Sequence, residues 1–242
     1  MAIIRGPKIV RSGLVLALDA ADRNSYIGSG TTWKDLSGNN YNGTLTNSPT
    51  FSSANGGSVV FDGTNDYVDL VNSTELNFTN TSATVSVWFK TSTSFASGVF
   101  LIAKNMLGIA GGGGWGLLIN SSGIPYFNTK NNVSGGTSIQ RLTNLSCNDG
   151  VWHNFVVVFT TSTTVVGNNT ASVYLDGRLS NGTLTQSLVY SGNTTGTVQL
   201  ARRSSSDSYY TGNISSLQIY NRELTASEIL QNYNAVKSRF GL

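Results

Sequence analysis

Apolar and polar residues alternate along most of this chain. In residues 13–20, Leu14, Leu16 and Leu18 project to one side and Val15 and Ala17 to the other, which reads as a strand buried on both faces. Residues 84–90 place Val85, Val87 and Phe89 on one face. The longest run is 152–161, where Trp152, Asn154, Val156 and Val158 oppose His153, Phe155, Val157 and Phe159. Shorter runs at 43–45, 59–62, 67–70, 99–103, 115–119, 124–128, 137–142, 171–175, 197–201 and 214–220 predict further strands. Turn residues punctuate them. Asp62-Gly63-Thr64-Asn65 predicts a hairpin between 59–62 and 67–70, Asn120 to Gly123 predicts a second, and Asp176-Gly177 predicts a type I′ turn.

One segment departs from the period of two. Thr225-Ala226-Ser227-Glu228 is a capping box, and Ile229, Leu230, Tyr233 and Val236 follow at helical spacing. About a dozen strands and one short helix predict an all-β, two-sheet antiparallel sandwich. No linker interrupts the composition, so a single domain is expected over 13–242, preceded by an N-terminal arm over 1–12.

Composition narrows the function classes. Charged residues are 11% of the 242, against about 25% in an ordinary globular chain. The polar surface is instead Ser, Thr, Asn and Gly. Net charge is +3 and no basic cluster exceeds Arg202-Arg203, so nucleic acid is not expected as a partner. No run approaches the roughly 18 apolar residues of a membrane span, and the run from Leu14 to Leu18 is too short for an export signal. Cys147 stands alone, which excludes an intramolecular disulfide, and with His153 as the one histidine no usual zinc ligand set can form.

Candidate chemistry is sparse. Asp62, Asn65 and Asp66 offer oxygens hard enough for a cation such as Ca²⁺, or else stabilise their own turn. Asp19 and Asp22 form a weaker second pair. Trp115, Tyr126, Tyr209 and Tyr210 lie in or near predicted loops and are candidate sugar platforms, with core packing as the alternative. Gly111, Gly113 and Gly116 match a dinucleotide-binding glycine spacing, but the strand over 115–119 stands where the helix would have to begin. His153 has no nucleophile pattern beside it and is expected to be structural. Arg222 is expected to pair with an acid across the sheet.

Four stations carry a family resemblance: Phe61-Asp62-Gly63-Thr64-Asn65-Asp66-Tyr67-Val68; Asp149-Gly150-Val151-Trp152-His153-Asn154; Val173-Tyr174-Leu175-Asp176-Gly177-Arg178-Leu179; and residues 212–225 leading into the helix. Their order and spacing resemble the laminin-G-like, concanavalin-A-like jelly-roll domains. The resemblance implies a lectin-like sandwich, with calcium bound at the sandwich edge in many relatives. Glucanases of this superfamily carry a Glu-x-Asp-x-x-Glu strand. The three glutamates here, Glu75, Glu223 and Glu228, have no such company, so no catalytic residue and no enzyme activity are expected. Residues 14–26 and 235–242 resemble a subgroup found in virion structural proteins of tailed bacteriophages. That resemblance implies a capsid decoration or outer fibre component, assembled in the host cytoplasm and located on the virion, with other virion proteins as partners through the arm, or a homo-oligomer. The alternative is a carbohydrate-binding adhesin for host surface glycans.

Overall fold

The computed structural model describes residues 7–106, 113–131, 136–190, 196–203 and 208–242. Among them are seventeen strands: β1 (Leu14–Asp19), β2 (Thr32–Trp33), β3 (Gly43–Thr46), β4 (Thr50–Ser52), β5 (Ser58–Asp62), β6 (Tyr67–Asp69), β7 (Ser82–Lys90), β8 (Val99–Lys104), β9 (Gly114–Ile119), β10 (Pro125–Lys130), β11 (Thr137–Leu142), β12 (Trp152–Thr160), β13 (Thr170–Leu175), β14 (Arg178–Leu179), β15 (Leu184–Gln186), β16 (Val198–Leu200) and β17 (Thr211–Tyr220). One α-helix follows, α1 (Ala226–Val236).

The strands form two antiparallel sheets. The eight-stranded sheet runs β14-β13-β12-β7-β17-β5-β4, with β1 also beside β17. The nine-stranded sheet runs β15-β11-β10-β9-β8-β16-β6-β3-β2. β17 is shared lengthwise: Thr211 to Ile214 pair with β5, and Ser216 to Tyr220 pair with β1. The core between the sheets takes one face of each strand. β7 contributes Val85, Val87 and Phe89, β12 contributes Phe155, Val157 and Phe159, and β9 contributes Trp115, Leu117 and Ile119.

The opposite face of the eight-stranded sheet is also apolar, and the ends of the chain cover it. Trp88 and Trp152 meet Val236 and Phe240, with Ile9 and Tyr233 packed alongside. Trp88 stacks on Tyr233 at 5.5 Å and on Phe240 at 4.4 Å. Val156 and Tyr220 pack with Leu224 and Ile229, and Val10 and Leu14 close over them. The expected capping box is present, with the Thr225 side chain accepting from the Glu228 N–H and Glu228 accepting from the Thr225 N–H.

Four expectations need correction. The stretch from Asp62 to Tyr67 is not a hairpin: β5 belongs to the eight-stranded sheet, pairing β4 and β17, whereas β6 belongs to the other, pairing β3 and β16. The chain crosses between sheets there. Gly63 is left-handed (φ +79°) and its Cα stands so close to the Thr211 side chain that no Cβ fits. Leu230 is not on the buried stripe and is 45% exposed. Arg222 reaches no acid across the sheet. It forms a two-point pair with Glu228 of the cap, at 2.9 and 2.7 Å, and this pair holds the Glu228 carboxyl down to about 2. Residues 7–12, expected as part of a separate arm, are held against the fold. Val10 N–H donates to Asn232 Oδ1 (2.8 Å), Gln231 donates to the Lys8 carbonyl (2.7 Å), and Arg11 donates to the Leu36 carbonyl (3.2 Å). An amphipathic apolar sheet face must be covered, and β-branched Ile9 and Val10 are the nearest chain able to do it.

Deleting residues 1–12 therefore lowers stability, by about 2–4 kcal/mol from the apolar burial of Ile9 and Val10. Urea unfolding of the truncated and full chains measures this, and equal midpoints would show that the segment is a passive tail.

Candidate functional site

The nine-stranded sheet has a second face too, and nothing of the helix reaches it. Strand alternation sends Phe100 of β8, Leu118 of β9 and Tyr126 of β10 outward in one row across three paired strands. The next row along β9 and β10 is Gly116 beside Asn128. Gly116 has a local steric reason: a Cβ there would stand 3.2 Å from the Phe100 ring and from the Ile102 carbonyl. Without it, Phe100 lies across the strand. Phe100, Ala103, Met106 and Leu118 form a small buried cluster with Tyr126 packed against it.

Phe100, Met106, Leu118, Tyr126 and Asn128 line an open cavity of about 380 Å³, completed by Gly98, Lys130, Arg203 and Ser208. Its polar groups are few. Asn128 is only 6% exposed, yet its Oδ1 is buried without a hydrogen-bond partner. Among the described residues this acceptor is unpaired, a state that costs about 1–3 kcal/mol. Burial raises the pKa of Tyr126, which keeps its phenol protonated as a donor. Lys130 Nζ donates to Thr137 Oγ1 (3.3 Å), and Ser208 Oγ donates to the Gly98 carbonyl (3.0 Å). An aromatic edge, an apolar floor and isolated hydrogen-bonding groups suit a ligand that is apolar on one face and hydroxylated on its rim.

The four candidate platform residues separate. Trp115 and Tyr210 are buried at 0% exposure and offer no platform, which corrects the expectation for both. Each sends its polar tip to a backbone carbonyl: Trp115 Nε1 to Leu76 at 2.8 Å and the Tyr210 hydroxyl to Lys90 at 2.8 Å. Trp115 faces inward because its neighbour Gly116 takes the outward position. Tyr126 lines the cavity. Tyr209 is half-buried, and the Arg202 guanidinium lies 5.7 Å from its ring and 4.2 Å from that of Tyr67. Asn128 is silent in the sequence, because a lone Asn in an alternating strand carries no signal until its neighbours are known.

The expected calcium ligands do not make a convergent set. Asp62 Oδ1 accepts from the Thr64 N–H (2.8 Å), and Asp66 Oδ2 accepts from the Asp62 N–H (3.3 Å). Asn65 is exposed, and its carbonyl accepts from Asn47 (2.8 Å). Among the described residues no group of three His, Cys, Asp or Glu draws together. Asp19 pairs with Arg239 at 2.8 Å, and Asp22 accepts from Asn24. One oxygen of each aspartate is thus engaged in the local turn, where a Ca²⁺ would need six to eight oxygens in all.

The glutamates are all engaged elsewhere. Glu75 accepts from the Tyr41 hydroxyl, Glu223 from Thr160, and Glu228 serves the cap. Of the glycine triplet, Gly111 lies outside the described residues, and Gly113 and Gly116 lead into and through β9. His153 bridges two carboxylates: Nδ1 to Asp176 at 2.8 Å and Nε2 to Asp149 at 3.2 Å. Burial works against the imidazolium, but the bonds and charges of Asp176 and Asp149 outweigh it and raise the His153 pKa. Asp176 also accepts from the Asn154 N–H (2.8 Å), so this cluster ties the β13–β14 turn to β12.

Two measurements follow from these geometries. A raised folded pKa means that His153 contributes stability fully below its unfolded value near 6.5 and loses it as pH rises through the folded value. The gap in urea stability between the native chain and His153→Gln is therefore expected to be larger at about pH 6 than at about pH 9; a constant gap would sink this assignment. At the sheet crossover, EDTA is expected to leave the melting midpoint unchanged, while Asp66→Ala costs about 1–3 kcal/mol through the orphaned Asp62 N–H. A midpoint that falls with EDTA would restore a metal.

Comparison with known proteins agrees with this architecture. A family profile, the concanavalin A-like lectin/glucanases superfamily, matches residues 62–230. No curated protein sequence matches the chain. Among solved structures, the binding domain of botulinum neurotoxin serotype D is similar with a TM-score of 0.65 at 16% identity, covering 93% of this chain and 52% of that one. The serotype D ligand-binding domain in complex with N-acetylneuraminic acid gives 0.67 at 15%, covering 93% and 51%. The chain thus spans about half the length of those toxin domains. Domain 4 of AbnA, a GH43 extracellular arabinanase from Geobacillus stearothermophilus, in complex with arabinotriose, gives 0.66 at 19%, covering 92% of this chain and 98% of that one. At such identities the likeness is one of fold. With the profile spanning most of the sandwich, the chain belongs to the laminin-G-like branch of the concanavalin A-like lectin/glucanases superfamily.

Proposed function

We propose that this chain is a non-enzymatic glycan-binding module and that the cavity on the outer face of the nine-stranded sheet is its binding site. The observation that carries this reading is Asn128: a buried amide whose oxygen has no partner, set beside Tyr126 and Phe100. A sugar ring supplies what that arrangement lacks. Its hydroxyls donate to the amide oxygen, and its C–H face packs on the aromatic and aliphatic floor. The similar toxin domain in complex with N-acetylneuraminic acid and the similar arabinanase domain in complex with arabinotriose support saccharides as the ligand class.

A second reading concerns where the module works. The likeness of residues 14–26 and 235–242 to virion structural proteins of tailed bacteriophages favours a capsid decoration or outer fibre component. In that setting the module would face host surface glycans. The two readings are compatible, and immunogold imaging of intact virions with an antibody to this chain tests the second. Unlabelled particles would remove the virion from the account.

A glycan array tests the first reading. The chain is expected to bind at least one saccharide class, and Asn128→Ala and Tyr126→Ala are each expected to weaken that binding by about tenfold, or about 1.4 kcal/mol. Both variants should keep the native circular-dichroism spectrum. Silence across the array would overturn the proposal, as would binding that neither variant reduces.

A further inference from the structure

A different surface carries a second groove. The sequence places Leu230 on the apolar stripe of α1, yet the structure leaves it exposed. It is not alone. Leu145, in the loop before β12, is 61% exposed, and Leu179 of β14 is 60% exposed. All three line one groove of about 610 Å³ between α1, the β13–β14 hairpin and that loop. Exposed leucines scattered singly need no explanation, but three from separate elements converging on one groove do. The groove is also firmly built. Gly177, at φ +76°, lets the hairpin turn approach the Tyr233 ring, where a Cβ would stand 3.0 Å away. Asp176 next to it is held by His153 and the Asn154 N–H.

The rim fixes the charge of what can enter. Arg178 and Lys237 border the groove, and Lys237 Nζ sits 5.4 Å over the Tyr233 ring. The one carboxylate in the lining, Asp176, already accepts from His153 and Asn154 with its two oxygens. An acidic side chain entering here meets two cations and no competing free acid.

The edge fixes its shape. β14 is the last strand of the eight-stranded sheet. Leu175 pairs with Arg178 across the two-residue turn, and Ser180 N–H donates to the Val173 carbonyl. In an antiparallel ladder the residue between two inward-bonded ones turns its own N–H and C=O outward, so Leu179, which also lines the groove, presents both at the sheet edge, away from β13. An extended backbone can pair with them while its alternate side chains enter the apolar floor.

We propose that this groove docks an extended segment of a partner protein in which aliphatic and acidic residues alternate. A second copy of the chain fits less well. A two-fold contact of two such grooves would bring their cationic rims of Arg178 and Lys237 together with no free acid between them, and like charges disfavour pairing.

Fluorescence anisotropy with labelled, end-capped heptapeptides tests this on the full chain. The probes are an alternating Leu/Glu peptide, its Leu/Lys counterpart and a Ser/Glu counterpart. The Leu/Glu peptide is expected to bind saturably, and each of the other two about tenfold more weakly or less. Leu230→Ser and Arg178→Glu are each expected to weaken the Leu/Glu peptide by about tenfold, with unchanged melting midpoints because both side chains lie on the surface. Equal binding of the three peptides, or variants that bind like the native chain, would overturn the proposal. So would sedimentation of the native chain as a dimer that Leu230→Ser dissociates, since a second copy would then fill the groove.

Discussion

A ring of three hydrogen bonds holds the two ends of the chain against one sheet. Asn232 on α1 accepts from the Val10 N–H and donates to the Tyr220 hydroxyl, at 2.8 and 3.0 Å. The Tyr220 hydroxyl in turn donates to the Val10 carbonyl at 3.0 Å. Residues more than 200 positions apart are thereby fixed to one spot on β17. Each bond is worth roughly 1 kcal/mol on its own, but the ring leaves no buried amide or carbonyl of that crossing unpaired. The aromatic stack of Trp88, Phe240 and Trp152 can close only because this ring sets the helix and residues 7–12 in register over the sheet.

That closure divides the molecule into two unlike surfaces. The eight-stranded sheet is apolar on both sides and carries a third layer of helix and N-terminal chain. The nine-stranded sheet is apolar on its inner side, and its outer side keeps a shallow row of Phe100, Leu118 and Tyr126 around Asn128. Phe100, Leu118 and Asn128 are nonetheless buried there, and the Asn128 Oδ1 has no hydrogen-bond partner among the described residues. The cavity and the covered face are therefore consequences of one arrangement.

Much of this was legible in the sequence, for identifiable reasons. Alternation marked β7 and β12 nearly to the residue, because their long apolar runs are packed almost throughout. The turn at Asp176-Gly177 was legible because two successive positive φ values demand such residues, and both are found (52° and 76°). The capping box was legible because its partners are local. What failed was whatever depends on distant partners. Asp62 to Tyr67 has the composition of a hairpin turn, and composition does not say which sheet the next strand joins. Trp115 and Tyr126 look alike as aromatic residues near loops, and only the strand register sends one inward and the other out. Asn128, the residue that best marks the cavity, is silent until Phe100, Gly116 and Tyr126 are assembled around it. The short strands β4, β14 and β15 escaped notice because two or three residues carry no period.

Residues 7–12 and the C-terminal helix both lie on one side of the sandwich, with two sheets between them and Asn128. The fold thus has a built-in polarity: one outer face is sealed by local chain, and the other holds the Asn128 cavity.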